Sequence, residues 1–376
     1  ASDTQLMDEI VVTALGIKTD KKALGYATSQ VDAAEISSVK ADNFVSALSG
    51  KVAGVQISAT SALPGSGTRI VIRGGSSITG SNQPLFVVNG VPFDAANSGN
   101  SSGFADIDPN SIESLSILKG AAASALYGSS AANGVVLITL KTGTFDSKPK
   151  VTVSHTSSFD QVHEIPHQKL WAQGYMGSSG WVYVDGETSK SSTSWGPRIS
   201  EIPGAQYYDR WEVFNTGYVM ENNVSVAGGN SQASYFISYG NLNNQGVLET
   251  LTFNRHSLNA NTSFKFTQKL QVSSNIMYSK QVGSRLTEGG SSTFVDLLLA
   301  TPNTWNPYPL YDDNGKIRLF RGGGRNPYLW QLDNTGILFD RDRFVGSVIV
   351  EYSILPDLKF RSVTGVSTAS SNSDTF

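Results

Sequence analysis

His163-Glu164-Ile165-Pro166-His167 has the H-E-x-x-H spacing that sets two imidazoles on a zinc ion, with the glutamate as base, when it lies on one helical face. That chemistry needs an unbroken helical turn from one histidine to the other. Pro166 sits inside the turn, lacks an amide hydrogen and forbids it. A zinc hydrolase is therefore not expected. Asp106, Asp108 and Asn110 open like a calcium loop, but Ser111 stands where the sharp turn needs glycine and Ile117 where a bidentate glutamate is required. Asp312-Asp313-Asn314-Gly315 reads as a hairpin turn rather than a calcium site. Gly65-Ser66-Gly67-Thr68-Arg69-Ile70 lacks the third glycine of a dinucleotide loop and precedes a strand, so it also reads as a turn. The four histidines and the many serines show no triad spacing. No catalytic residue, metal or cofactor is expected, and the chain is not read as an enzyme.

The remaining chemistry is recognition. Arg69-Ile70-Val71-Ile72-Arg73 alternates, which puts Arg69 and Arg73 on one side of a strand and Ile70 and Ile72 on the other. Glu9-Ile10-Val11-Val12-Thr13 is a short β-prone run in a polar lead. Such a strand can add to the sheet edge of another chain, or to a sheet of its own. Trp171, Trp181, Trp195, Trp211, Trp305 and Trp330 fall in two long stretches that read as loops. Their flat apolar faces and polar edges suit contact with carbohydrate or peptide, although large loops also need small cores of their own.

A chain of 376 residues predicts two or three domains. With net charge −3 and no Lys/Arg run, nucleic acid is not an expected partner. Zero cysteines exclude disulfides and thiolate chemistry. Charged residues are 16%, below the usual ~25%, and Gly, Ser, Thr, Asn, Tyr and Phe fill the difference. That is the palette of a barrel with one lipid face and one polar face. No apolar stretch approaches the ~18 residues of a membrane helix, and without helices only a closed barrel spans a bilayer. Ala1 opens a polar segment, which reads as a mature N-terminus. A soluble secreted β-protein, extractable without detergent, is the alternative.

Three regions follow. Residues 1–20 are a flexible lead. Residues 21–145 read as α/β. A short helix over 43–51 and a strand over 52–58 come first, then strands at 69–73 and 85–89, with Asn89-Gly90 as a hairpin signal. A turn begins at Asp108-Pro109, a strand spans 114–119, a helix 121–127 is stopped by Gly128, and a strand closes at 135–141. Residues 146–376 carry seven strands that alternate apolar and polar residues: 151–159, 223–227, 233–241, 256–265, 270–280, 343–352 and 358–367. Short turns at 228–232, 267–269 and 355–357 alternate with long connections 160–222, 242–255 and 281–342. Short turns on one rim and long loops on the other are how outer-membrane barrels are built, the short rim being periplasmic. The fold expected is an α/β plug domain leading into a transmembrane antiparallel β-barrel.

The chain resembles the SusC/RagA family of TonB-dependent transporters. The matching stretches are DEIVVTALGIKTDKKALGYATSQV from Asp8, LSGKVAGVQI from Leu48 and PGSGTRIVIRGGSSITGSNQPLFVVNGVPFD from Pro64. They continue with SIESLSILKGAAASALYGSSAANGVVLIT from Ser111, NNVSVAGGNSQASYFISYGNLNNQGVL from Asn222 and PYPLYDDNGKI from Pro307. The resemblance implies a plug inside a 22-stranded barrel, in the outer membrane of a Gram-negative bacterium. Only about seven strands can be counted here, too few to close around a plug, so the reading is a fragment of a longer protein. It further implies a SusD-like lipoprotein lid outside, TonB on the periplasmic side, outer-membrane lipid around the wall, and dimers of such pairs. The ligand would be an oligosaccharide or an oligopeptide.

By the same resemblance Asp8, Glu9, Ile10, Val11, Val12, Thr13 and Ala14 are the Ton box that pairs with TonB. Arg69 and Arg73 lie on the plug segment expected to pair with acidic barrel residues. Glu351, inward by strand parity, is the candidate partner in a plug–barrel latch; the alternative is that the arginines face water. The second functional reading is a SusC-like barrel kept as a non-transporting scaffold in an outer-membrane assembly.

Overall fold

The computed structural model describes residues 10–12, 18–20, 28–32, 50–59, 64, 68–75, 82–93, 103–163, 166–184, 186–187, 195–287 and 293–376. The helix expected over 43–51 therefore lies almost wholly outside the described residues.

Among the described residues the N-terminal part holds nine short strands: β1 (Ile10–Val12), β2 (Lys18–Asp20), β3 (Thr28–Asp32), β4 (Val55–Ala59), β5 (Thr68–Ile72), β6 (Leu85–Val88), β7 (Val91–Phe93), β8 (Ile112–Leu118) and β9 (Val135–Leu140). Helix α1 (Ala121–Tyr127) precedes β9. The Ile10–Val12 run pairs antiparallel with Lys18–Asp20, Ile10 opposite Asp20, so within this chain the lead folds on itself. β4 and β5 make a second two-stranded ladder. The remaining five strands form one sheet in the order β3-β8-β9-β6-β7.

β9 reads Val-Val-Leu-Ile-Thr-Leu and is buried along nearly its whole length, as a strand covered on both faces must be. Phe86, Phe93, Ile107, Ile112, Leu115, Ile117, Val136 and Ile138 pack with Ile70 and Ile72 into one core. The β6–β7 hairpin turns through Asn89 and Gly90, both at positive φ (46° and 88°), the conformation the Asn-Gly pair predicts.

Seven long strands follow in chain order, each antiparallel to the next: β10 (Lys150–Asp160), β13 (Gly217–Gly229), β14 (Ala233–Gln245), β15 (Thr252–Lys265), β16 (Leu270–Arg285), β17 (Ile337–Leu355) and β18 (Leu358–Thr375). A small hairpin, β11 (Gly174–Gly177) and β12 (Gly180–Tyr183), decorates the first long loop. Two short helices, α2 (Phe294–Ala300) and α3 (Tyr328–Asn334), lie in the last.

This wall is amphipathic the wrong way round for a soluble sheet. On β15, Arg255, Ser257, Asn259 and Asn261 are buried against the N-terminal domain, whereas Leu258 and Phe264 are exposed at 43% and 46%. Ile237 and Tyr239 on β14, Ile276 on β16, Phe344 and Val348 on β17 and Phe360 on β18 continue the exposed apolar face. Water gives no reason to expose such a band; lipid does. No helix among the described residues is long and apolar enough to cross a membrane.

All seven strands extend further than alternation predicts. Most of the overrun falls on one rim, where runs such as Asn241-Leu242-Asn243-Asn244-Gln245 are largely polar and hydropathy alternation fails. The expected long connection 242–255 therefore shrinks to 246–251, because β14 and β15 stay paired out to Gln245 and Thr252. The connections at 161–216 and 286–336 remain long, and those at 230–232, 266–269 and 356–357 remain short.

Candidate functional site

The segment Gly103–Glu113 joins the N-terminal domain to the inner face of the wall. It runs through a 3₁₀ turn at Gly103–Asp106 and a second at Pro109–Ser111. Asp108 caps the second turn, its Oδ1 accepting from the Asn110 amide at 2.9 Å, and Pro109 occupies the first helical position, where its missing amide is harmless. These turns place two carboxylates, each 1% exposed, against the strands.

Asp106 meets β16 and β17. Arg343 Nε lies 2.5 Å from Oδ2, Arg341 Nη1 lies 3.8 Å from Oδ1, and Gln281 Nε2 donates to Oδ1 at 2.7 Å. The Arg343 guanidinium also sits over the Phe93 ring at 4.3 Å. Asp108 meets β13 and β15, its Oδ2 accepting from Asn223 Nδ2 at 2.8 Å and Ser257 Oγ at 3.3 Å. Gly240 on β14 makes room for it, since a Cβ there would strike Asp108 Oδ2 and come within 2.6 Å of Ser257 Oγ. Arg255, 2% exposed, donates to the carbonyls of Ala105 (3.0 Å) and Ile107 (3.4 Å) and pairs with Glu221 at 3.3 Å. Glu221 in turn accepts from Asn110 Nδ2 at 3.3 Å.

The seam continues toward the short-turn rim. Asn261 Nδ2 donates to the Lys141 carbonyl at 2.7 Å, and Lys141 Nζ donates to the Asn110 carbonyl at 2.7 Å. Burial lowers the Lys141 ammonium from its ordinary value, while Asp108 and Glu113 pull it back up. Apolar contacts frame the polar ones. Met277 and Val345 of the wall join the domain core, and Ala105 packs with Leu242 and Phe253.

This seam buries charge. Burial pushes the Asp106 carboxyl above the usual range, and Arg343 and Arg341 pull it down. Buried ion pairs of this kind lose much of their Coulomb gain to desolvation, yet removal of one partner costs about 3–5 kcal/mol. Asn259 Oδ1, Asn261 Oδ1 and Ser279 Oγ of the wall are buried with no hydrogen-bond partner among the described residues.

The latch residues chosen from sequence are not brought together. Arg69 lies on the exposed position of β5, and Arg73 adopts a positive φ of 58° with a guanidinium nitrogen near Gly120. Glu351 does face inward, but its Oε1 accepts from Arg361 Nε of the neighbouring strand at 3.0 Å. Its register partner across β17–β18 is Arg361, which reaches it without crossing the lumen. The contacts form instead around Asp106, Asp108 and Arg255. The first two were visible in sequence only as a failed calcium loop.

Of the TonB-pairing candidates, Asp8, Glu9, Thr13 and Ala14 lie outside the described residues, and Ile10, Val11 and Val12 form β1. The tryptophans divide. Trp305 is 5% exposed in the outer-loop core with Phe320, beneath the Arg318–Glu187 pair at 2.8 Å. Trp211 tilts against His167 and Phe214, Trp171 carries Arg198 over its ring at 5.2 Å, and Trp195 is 58% exposed. Trp330 is half-buried on α3, and the Trp181 side chain lies outside the described residues. His167, the second histidine of the H-E-x-x-H run, is hydrogen-bonded to Tyr207 Oη at 2.6 Å and accepts from Trp211 Nε1 at 3.3 Å.

With this geometry in hand, comparison with known proteins is specific. Residues 20–135 match the TonB-dependent Receptor Plug Domain. The chain is 30% identical over 360 residues to a TonB-dependent receptor of Formosa agariphila, covering 92% of this chain and 34% of that protein. It is 28% identical over 389 residues to the TonB-dependent receptor SusC of Bacteroides thetaiotaomicron, covering 96% of this chain and 37% of that protein. The chain thus spans about a third of the length of these relatives. Its fold superposes on the RagAB peptide importer in the open-open state with TM-score 0.72 at 19% identity, over 98% of this chain and 43% of the other.

Proposed function

From a chain that is SusC/RagA-like, with a TonB-dependent receptor plug and the first strands of the barrel wall, we propose that it serves energy-coupled import across the outer membrane. In this reading the N-terminal domain plugs a barrel of which β10–β18 are part. A ligand, oligosaccharide or oligopeptide, binds from the long-loop side beneath a SusD-like lipoprotein. TonB pairs with Asp8 to Ala14 and pulls. Backbone pairing of an extended segment carries the load with little demand on side chains.

The observation that carries this reading is the buried polar seam between Gly103–Glu113 and the wall. A permanent packing contact would be apolar. A stopper that must leave its seat and return is better served by ion pairs and amides that water can satisfy on the open side. The apolar outward face and the long loops on one rim agree with it.

Deletion of residues 8–14 tests the proposal. Uptake of the ligand is expected to be lost while the barrel still inserts and the plug stays seated. Unchanged uptake would remove import and leave the scaffold reading.

A further inference from the structure

Three outer loops converge on a cavity of about 400 Å³. The 3₁₀ turn at Arg210–Val213 supplies Asp209 and Glu212, the 246–251 connection supplies Glu249, and the last loop supplies Tyr308 and, from α3, Tyr328 and Asp333. Its floor is apolar: Leu310, Leu329 and Leu332 line it. Among the described residues four carboxylates stand around it, and no Lys, Arg or His lines it. Two cations stand nearby. Lys169 lies 3.9 Å from Asp209, and Arg210 donates to the carbonyls of Leu298, Leu299 and Thr301 at 2.8–3.0 Å. Glu212, Glu249 and Asp333 are exposed and have no ion pair among the described residues.

A second observation points into the same space. Tyr328 is 3% exposed and lines the cavity, and its hydroxyl has no hydrogen-bond partner among the described residues. Its ring is held edge-on against Phe294. The ring is buried and the hydroxyl opens on the cavity, where no group of the described residues bonds it. An occupant of the cavity would be its partner.

We infer that this cavity is a binding site for an organic ammonium group on a small apolar or hydroxylated body. The volume lies within the range of small-molecule sites. The rim carboxylates accept from the ammonium, the leucines cover the body, and the Tyr328 hydroxyl bonds a neighbouring polar atom. Peptide amines and amino sugars share this chemistry. The assignment rests on the import reading for its meaning, but binding is measurable without transport.

The test is calorimetric titration of the detergent-solubilised protein with two matched pairs: L-leucinamide against N-acetyl-L-leucinamide, and D-glucosamine against N-acetyl-D-glucosamine. At least one free amine should bind and its acetylated partner should not. Leucinamide alone identifies a peptide amine, glucosamine alone an amino sugar, and both together a general ammonium site. Glu212→Gln and Asp333→Asn, both at exposed positions, should each weaken binding about tenfold. Tyr328→Phe should weaken it roughly threefold. Failure of both amines to bind, equal binding of the acetylated compounds, or unchanged affinity in both carboxamide variants would overturn the assignment. A protein lacking residues 8–14 should bind as the wild type does, so failure of import and failure of this site are read separately.

Discussion

Asp106→Asn tests the seam with the least disturbance of shape. The amide keeps one oxygen to accept from Gln281 Nε2, which now lies 2.7 Å from Oδ1. What it removes is the negative charge between Arg343 and Arg341, which are 4% and 2% exposed. Two buried guanidiniums are then left facing a neutral group. Removing one partner of a buried pair costs about 3–5 kcal/mol. At 1.4 kcal/mol per decade this is roughly two to three and a half decades in the opening equilibrium of the segment. Hydrogen exchange of the amides over 103–113 reads that equilibrium directly, since local opening need not unfold the barrel. The amides of residues 114–118 in β8 and of β9 provide the internal control, because they lie in the plug sheet beyond the segment read and not on the wall. The reasoning is refuted if exchange over 103–113 accelerates less than threefold. It is equally refuted if these control amides accelerate as much, which would show global loosening and not release of the segment. Asp106→Asn combined with Arg343→Gln should recover part of the loss, giving a coupling of about 0.5–3 kcal/mol between the two positions.

Other outcomes follow from the same contacts. Gly240→Ala should displace Asp108 from its seat and destabilise the seated plug by about 1–3 kcal/mol, read as faster exchange at Asn110 and Ser111. Arg255→Met should remove the cation paired with Glu221 and the donor to the Ala105 and Ile107 carbonyls, at a cost of about 3–5 kcal/mol in the same assay. Leu258→Arg, on the outward face, should cost about 2–4 kcal/mol in refolding into lipid vesicles if the position is near the bilayer midplane. Lys141 gives a pH test. Its pKa in the folded protein is lowered, so between that value and about 10.5 the unfolded chain binds more protons and stability rises with pH. Lys141→Met should flatten that rise in an exchange profile over 141–144; a persistent slope would assign it to another group.

Much of the architecture could be read from the chain because lipid imposes a period-two pattern. His256 to Lys265 alternates so cleanly that burial on β15 follows the pattern, with His256, Leu258 and Phe264 exposed and Ser257, Asn259 and Asn261 buried. The outer ends of the strands were missed for the converse reason. Above the apolar band both faces meet polar surroundings, and Asn241 to Gln245 or Asp340 to Asp342 leave no alternation to detect. The seam was missed because its two halves are far apart in sequence, Asp106 with Arg343 and Asp108 with Asn223. A signal was present nonetheless. The inward row of β17 carries Arg341 and Arg343 where inward positions on neighbouring strands are mostly Ser and Asn, and buried charges demand partners. For Arg69 and Arg73, alternation gives a shared face and the family resemblance gives a plug segment, but neither says which wall residues that face meets.

The hairpin of connections between β9 and the wall has a mechanical corollary. The Asp146 amide bonds the Asn230 carbonyl, the Gly229 amide bonds the Ser147 carbonyl, and the Lys265 ammonium rests 3.8 Å above the Phe145 ring. Gly143 lies so close to the Tyr235 backbone that no side chain fits there. The plug is thus moored at its trailing end, whatever happens to its leading end. In the sheet, β3 next to the lead and β9 next to the mooring are separated by β8 alone. A pull on the lead, as the import reading requires, would load the β3–β8 ladder, with five paired positions, before the β8–β9 ladder, with six. Such a stopper would give way by shedding its outermost strand while remaining tied to the cylinder, ready to reseat when the tension ends.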